Sequence, residues 1–262
     1  MTPGAAIKQK ITSRTPVCGT FLKTPHPIMI EIMGQAGYDF LVLDAEHAPF
    51  DRGTIDTLMI AGRAANIPLI VRVPSAGPDW IMAVLDAGAA GIMVPHVNDA
   101  AFASELVRAT RYGAWGQGGR GFAGTTRAAD YAQRSLSEHF GKTPGEVTLI
   151  CQIEDPPGAE DFEAIANVDG VDALFVGRAD LAVGYGKSDF FDPDIGQKTL
   201  NILGAAGAAT GLYCAPGEDI APLKSAGASV FVIGSDHTCL KRAAAGDIAA
   251  VSALKTQGKD AL

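Results

Sequence analysis

The chain has 262 residues, 47% hydrophobic and 19% charged, with a formal net charge of −8. Such a composition supports a sizeable buried core and excludes a disordered polypeptide. With no Lys/Arg-rich run, the acidic balance also argues against nucleic acid or an anionic membrane surface as the main partner.

The opening MTPGAAIKQKITSRTP has no apolar signal core, and no apolar run nears the ~20 residues of a membrane span. A soluble protein of the cytoplasm is expected. Of the four cysteines, Cys18, Cys151 and Cys214 fall in or beside predicted strands, and Cys239 lies outside them. They form no CxxC pair, so neither a zinc ribbon nor a redox motif is supported.

Short apolar runs alternate with segments of helical period along the chain. VCGTF (17–21) comes first, then a helical segment after Pro25 and Pro27 that carries Ile28, Ile32 and Met33 and stops at Gly37. FLVLD (40–44) is followed by a helix from about Thr54 to Ala65. After PLIVR (68–72), Pro78 opens a helix over 80–87 and Gly88 closes it, glycine being suited to the left-handed cap. AGIMV (90–94) leads into a helix capped by Asn98 or Asp99 and ending near Tyr112.

An insertion of about fifty residues then breaks the rhythm. It contains six glycines in the thirteen residues 112–124, within YGAWGQGGRGFAGTTR (112–127), and a helix-like segment over roughly 128–140. Its place after the fourth strand is where barrel enzymes keep substrate-closing elements. The glycine spacing matches neither a P-loop nor a dinucleotide fingerprint. VTLICQI (147–153), ALFVG (173–177), GLYC (211–214) and VFVIG (230–234) complete the set, with another glycine stop at Gly227.

Uninterrupted apolar runs mark strands buried on both faces, hence a parallel sheet. Eight of them alternating with helices in about 250 residues is the arithmetic of a (β/α)8 TIM barrel, here one domain over 1–262. A doubly wound open sheet is the alternative, but no GxGxxG follows the first strand.

In such a barrel the chemistry sits where the strands end. The second strand exits as LDAEHAPFD, placing Asp44, Glu46 and His47 there, and an adjacent acid makes His47 the better proton acceptor. Arg72 ends the third strand; it could pair with Asp44 or hold a carboxylate or oxyanion. His96 follows the fourth strand, with less acidic company. The fifth and sixth strands end at CQIE and VGRADL, so Glu154 and Asp180 lie one βα unit apart and converge on one point. Oxygen ligands held that way suit a hard divalent cation, although each acid could instead cap the helix that follows it. Gln152 adds a polar contact. A Schiff-base aldolase would need a lysine at a strand end, where only Lys23 comes close. A glycosidase would need neither Arg72 nor His47.

The ordered segments DAEHAPFD, IVRVP, VLDAGA, ATRYG, CQIE and VGRADLA resemble the HpcH/HpaI aldolase/citrate lyase family, class II pyruvate aldolases of the 4-hydroxy-2-oxoheptanedioate type. The similarity runs from about Ile7 to Ala250. It implies a divalent cation (Mg²⁺, Mn²⁺ or Co²⁺) on Glu154 and Asp180, chelated by pyruvate or hydroxypyruvate. It also implies substrate contacts from Gln152 and the backbone at Ala179, enolate stabilisation by Arg72, and proton transfer by His47 assisted by Asp86.

The expected reaction is therefore reversible cleavage of a 4-hydroxy-2-oxo acid to the keto acid and an aldehyde through a metal-bound enolate. Alternatives are an acyl-CoA lyase of the malyl-CoA type, which lacks a basic cluster for the phosphates, and a catalytically silent keto-acid-binding barrel. The resemblance further implies a homohexamer in which the C-terminal helix packs on a neighbouring subunit. Arg178 stands where many relatives carry proline, and Ala182 where they carry serine, so Arg178 is expected to shift the preferred acids.

Overall fold

A computed structural model describes residues 1–113 and 118–257. What was expected of 114–117 in the glycine-rich loop lies outside the described residues. Eight strands, β1 (Val17–Leu22), β2 (Phe40–Asp44), β3 (Leu69–Arg72), β4 (Gly91–Val94), β5 (Thr148–Ile153), β6 (Ala173–Val176), β7 (Ala209–Cys214) and β8 (Ala228–Ser235), close into a barrel. Each pairs parallel with the next, and β8 returns to β1.

The strand pattern explains the two apolar layers. Leu41 and Leu43 on β2 point outward into a large cluster with the surrounding helices, while Phe40 and Val42 point into the barrel, as period-2 alternation requires. Phe40 leaves no room for a neighbour: a Cβ on Gly19 would lie 2.6 Å from its ring.

The helices around the barrel begin with α1 (Pro3–Thr12), which the sequence pattern did not reveal. Thr2 caps it, and Ile7 and Ile11, one turn apart, plug the lower end of the barrel core. α2 (Pro27–Gln35), α3 (Arg52–Ala64), α4 (Pro78–Asp86) and α5 (Ala100–Thr110) follow within a few residues of expectation. Asp99, rather than Asn98, caps α5 by accepting from the Phe102 amide.

The insertion departs from expectation. Residues 124–134 form turns, and the helix there, α6, spans Leu136–Glu146. Asp130, Tyr131 and Ala132 all have positive φ (52°, 53° and 68°), which a right-handed helix cannot accommodate. Ser135 then caps α6 through the Glu138 amide.

α7 (Pro156–Ala166), α8 (Arg178–Gly184), α9 (Pro193–Leu203) and α10 (Ala221–Ser225) complete the alternation. The 22-residue α11 (Asp236–Gln257) runs off the end with Leu240, Ile248 and Val251 exposed. Among the described residues, no helix is long and apolar enough to cross a membrane.

Candidate active site

A cavity of about 600 Å³ opens at the C-terminal ends of the strands, lined by Lys23, His47, Arg72, Gln152, Glu154 and Asp180 together with apolar residues. The barrel thus gathers at one mouth side chains spread over more than 150 positions of sequence.

On the β2–β3 side every charge has a partner. Asp44 is fully buried, and its Oδ1 accepts from Arg72 Nε (2.9 Å) and Nη2 (2.8 Å) and from the His47 amide (3.1 Å). Lys23 Nζ lies 3.0 Å from Oδ2, an ion pair rather than a well-aligned hydrogen bond. Burial pushes the Asp44 carboxyl up, but Arg72, Lys23 and the His47 amide outweigh that and hold it below its ordinary range. Asp44 is therefore a permanent anion that orients Arg72. It meets His47 only through the backbone, so the expected carboxylate–imidazole pairing is not made there.

The ring partner of His47 is instead Glu46, with Oε2 3.8 Å from Nε2. The same oxygen lies 3.4 Å from Arg72 Nε. Arg72 also stacks over Phe21, its guanidinium 4.6 Å from the ring centre, and its Nη1 makes no hydrogen bond among the described residues.

The β5–β6 side is unbalanced. Glu154 is buried; its Oε1 accepts from the His96 amide (2.9 Å) and its Oε2 from Gln152 Nε2 (2.6 Å). It is not a helix cap, since Asp155 occupies the N-cap position of α7. Burial, then the nearby Glu46 and Asp180 charges, raise its carboxyl to about 6 against the pull of His96. Gln152 Oε1 is buried without a partner. A Cβ on Gly177 would fall 2.4 Å from Glu154 Oε2, so glycine is required for the carboxylate to sit where it does.

Asp180 stands exposed in the first turn of α8, at the same cavity as Ala179. Ligand atoms of Glu46, His96 and Glu154 also lie within 4.8 Å of one another. Glu154 is thus common to two sets of metal-ligating groups, the expected pair with Asp180 and this trio. His96 Nδ1 is engaged by Asp155 Oδ2 at 2.9 Å, which leaves its Nε2, 3.8 Å from Glu46 Oε1, as the ring nitrogen open to an added group. An acceptor-only carboxylate, an unpartnered amide oxygen and surplus negative charge fit a divalent cation.

Two of the expected residues have other partners within the chain. Within one chain Asp86 does not reach His47. It ends α4, which runs back from the catalytic rim to the opposite face of the barrel, and its Oδ1 accepts from Arg120 Nη2 at 2.6 Å. Arg178 is not a free cation either. Glu218 takes it through two bonds (2.7 and 2.8 Å), Tyr213 O accepts a third (2.8 Å), and Phe190 and Phe191 flank it.

Sequence reasoning also passed over Asp236, which fixes the Lys23 and Thr24 amides. Its only signal is an acid at the start of the last helix. Glu46 was noticed only as a neighbour of His47.

With this geometry, comparison with known proteins gives a consistent picture. The model of the HpcH/HpaI aldolase/citrate lyase family matches residues 18–242. A hydroxypyruvate/pyruvate aldolase of Paraburkholderia phytofirmans is 34% identical, covering 90% of this chain and 94% of its own. A 5-keto-4-deoxy-D-glucarate aldolase of Escherichia coli O157:H7 is also 34% identical, over 87% of this chain and 90% of its own. A crystal structure of an HpcH/HpaI family protein from Burkholderia cenocepacia superposes with a TM-score of 0.88 at 33% identity, over 95% of this chain and 99% of that one.

Proposed function

Because the chain belongs to the HpcH/HpaI aldolase/citrate lyase family, a family of carbon–carbon lyases, we propose that it is a class II aldolase. It would reversibly cleave a 4-hydroxy-2-oxo acid to pyruvate or hydroxypyruvate plus an aldehyde. The observation that carries this reading is the pairing, across one cavity, of an oriented arginine with a buried carboxylate poised for a cation.

Cleavage removes the proton of the 4-hydroxyl, breaks the C3–C4 bond and leaves the electron pair on C3 as an enolate. His47 takes that proton and supplies one to C3 as the keto acid leaves; in the other direction both transfers are reversed. Arg72, held flat by Asp44 and Phe21, offers Nη1 to the developing enolate oxygen, where a preorganised cation lowers the barrier. Gln152 and the backbone at Ala179 orient the keto acid. Glu154 and Asp180 would hold the divalent cation, which when bound polarises the 2-oxo group as a Lewis acid. The exposed apolar side chains of α11 support a homo-oligomer in which that helix packs on a neighbour.

The test is a retro-aldol assay with pyruvate release coupled to lactate dehydrogenase. Activity should vanish in EDTA and return with Mn²⁺ or Mg²⁺. Activity that persists in EDTA, or borohydride trapping of pyruvate on Lys23, overturns the class II reading.

A further inference from the structure

The reaction accounts for one end of the barrel and leaves a second cavity, of about 360 Å³, at the other. It lies where α1 begins, where β3 and β4 start, and where α6 hands over to β5. Arg63, Arg120, Arg127 and Arg134 line it together with His139.

Each arginine has an acidic partner, but the pairings leave donors over. Arg127 and Arg134 are held at 2.6 and 2.7 Å by Asp56 and Glu146. Arg63 has only a loose ion pair with Asp130 at 3.9 Å, and among the described residues no hydrogen bond is recorded for it. Among the described residues, Arg120 reaches Asp86 through Nη2 alone, and its Nε is buried without a partner. His139 is 2% exposed, with Nε2 3.0 Å from the Tyr112 hydroxyl and Nδ1 buried and unpartnered.

A salt-bridge lock between the insertion and the barrel would not need these orphans, because a buried donor without an acceptor costs more than the bond it forgoes. The positive end of the ten-residue α1 also starts at the cavity wall. Burial, then the Arg120 and Arg134 charges, hold the His139 pKa below its ordinary value, so near neutral pH it carries one ring proton. In the tautomer in which the Tyr112 hydroxyl donates to Nε2, that proton sits on Nδ1 as a further unmet donor.

We propose that this cavity binds a phosphate-class oxyanion, as the free ion or on a small ester, with Arg63, Arg120 and His139 as its donors and Arg134 beside them. The site is separate from the catalytic rim and does not rest on the aldolase reading. Its occupant would join α1, the β3 and β4 approaches and the insertion through a single set of hydrogen bonds.

The test uses the full chain in EDTA, so that a metal at the rim cannot contribute, at constant ionic strength. Inorganic phosphate and glycerol phosphate are titrated in separate arms, which tells the free ion from the ester by relative affinity. The readouts are the melting temperature and the ¹⁵N ring resonances of His139, assigned with His139→Gln. A saturable rise in melting temperature is expected, with the His139 resonances moving over the same concentrations. In Arg63→Gln and Arg120→Gln the affinity should fall about tenfold or more, as for loss of a charge-assisted contact. Binding of equal strength in both variants, resonances that stay fixed while the melting temperature saturates, or no saturable response in either arm overturns the site. The His139 measurement is made on the wild-type chain, so a variant that fails to fold does not leave the question open.

Discussion

The two sides of the catalytic mouth are built on opposite principles. Around Asp44, three cationic or amide donors converge on one buried carboxylate, and Arg72 is locked before any substrate arrives. Around Glu154, a buried carboxylate faces Glu46 and Asp180 with only amide donors and the His96 ring for compensation, and its carboxyl rises to about 6. One side is complete within the folded chain. The other carries surplus negative charge at a cost in stability that the proposed cation would relieve, the usual relation between a functional site and its scaffold.

Breaking the unbalanced side should have the largest effect. Glu154→Gln removes the acceptor expected to hold the cation, and Lewis-acid stabilisation of several kcal/mol corresponds to a fall in kcat/KM of about 10³-fold. The same change should stabilise the metal-free protein. Glu154 has its carboxyl raised from 4.5 to about 6 in the fold, so below 4.5 it is neutral in both states and imposes nothing. Between 4.5 and about 6 the unfolded carboxyl ionises while the folded one stays largely protonated, so the cost builds up; above about 6 the folded state bears the buried charge, at a cost on the order of 2 kcal/mol. Thermal unfolding in EDTA at neutral pH should show a higher melting temperature for the variant. A lower one would mean that the Glu154 site is balanced like its neighbour.

Breaking the balanced side should show in catalysis with less change in metal affinity. Arg72→Lys keeps the charge but loses the planar fork that gives two bonds to Asp44 Oδ1. Steady-state kinetics should show kcat reduced about 10²-fold, the range for removing one preorganised oxyanion donor. Metal titration of the variant should remain near wild type.

The comparison also sets a pH dependence. With the Glu154 carboxylate as the proposed ligand, metal affinity should be nearly constant above about pH 6. It should fall about tenfold per pH unit below that, one proton being exchanged per cation at this residue. Calorimetric titration with Mn²⁺ between pH 5 and 7.5 measures it, provided a buffer that does not bind the metal is used. A flat profile would place the cation away from Glu154.

The strands were legible because runs such as FLVL and ALFV are apolar on both faces, and all eight lie within about two residues of where the runs put them. Rim residues at strand ends were legible for the same reason: Arg72, Gln152, Glu154 and Asp180 all reach one cavity. What was hidden is what depends on pairing at long range. Asp86 finds Arg120 across 34 positions and Arg178 finds Glu218 across 40, and no local pattern announces either. The turns at 130–132 were hidden differently, since Asp130, Tyr131 and Ala132 adopt left-handed backbone that their residue types do not demand.

Arg178 supplies the smallest effect and the sharpest check on how charge is used at the mouth. It lines the catalytic cavity, so its cation invites a role in selecting substrate acids. Yet Glu218 and the Tyr213 carbonyl already engage it, while Glu218 Oε2 also accepts from the Ala215 amide. The arginine therefore ties the β6 exit to the segment after β7. Arg178→Pro suits the backbone, because position 178 opens α8 and proline is well tolerated at a first helical position. It strands Glu218, however, and breaking such a largely buried pair should cost about 3 kcal/mol. Chemical denaturation should register that loss, while the ratio of rates across donor and acceptor acids changes only about twofold to threefold, less than 1 kcal/mol. A larger shift in that ratio with unchanged stability would return Arg178 to the substrate and make the mouth charged on a third side.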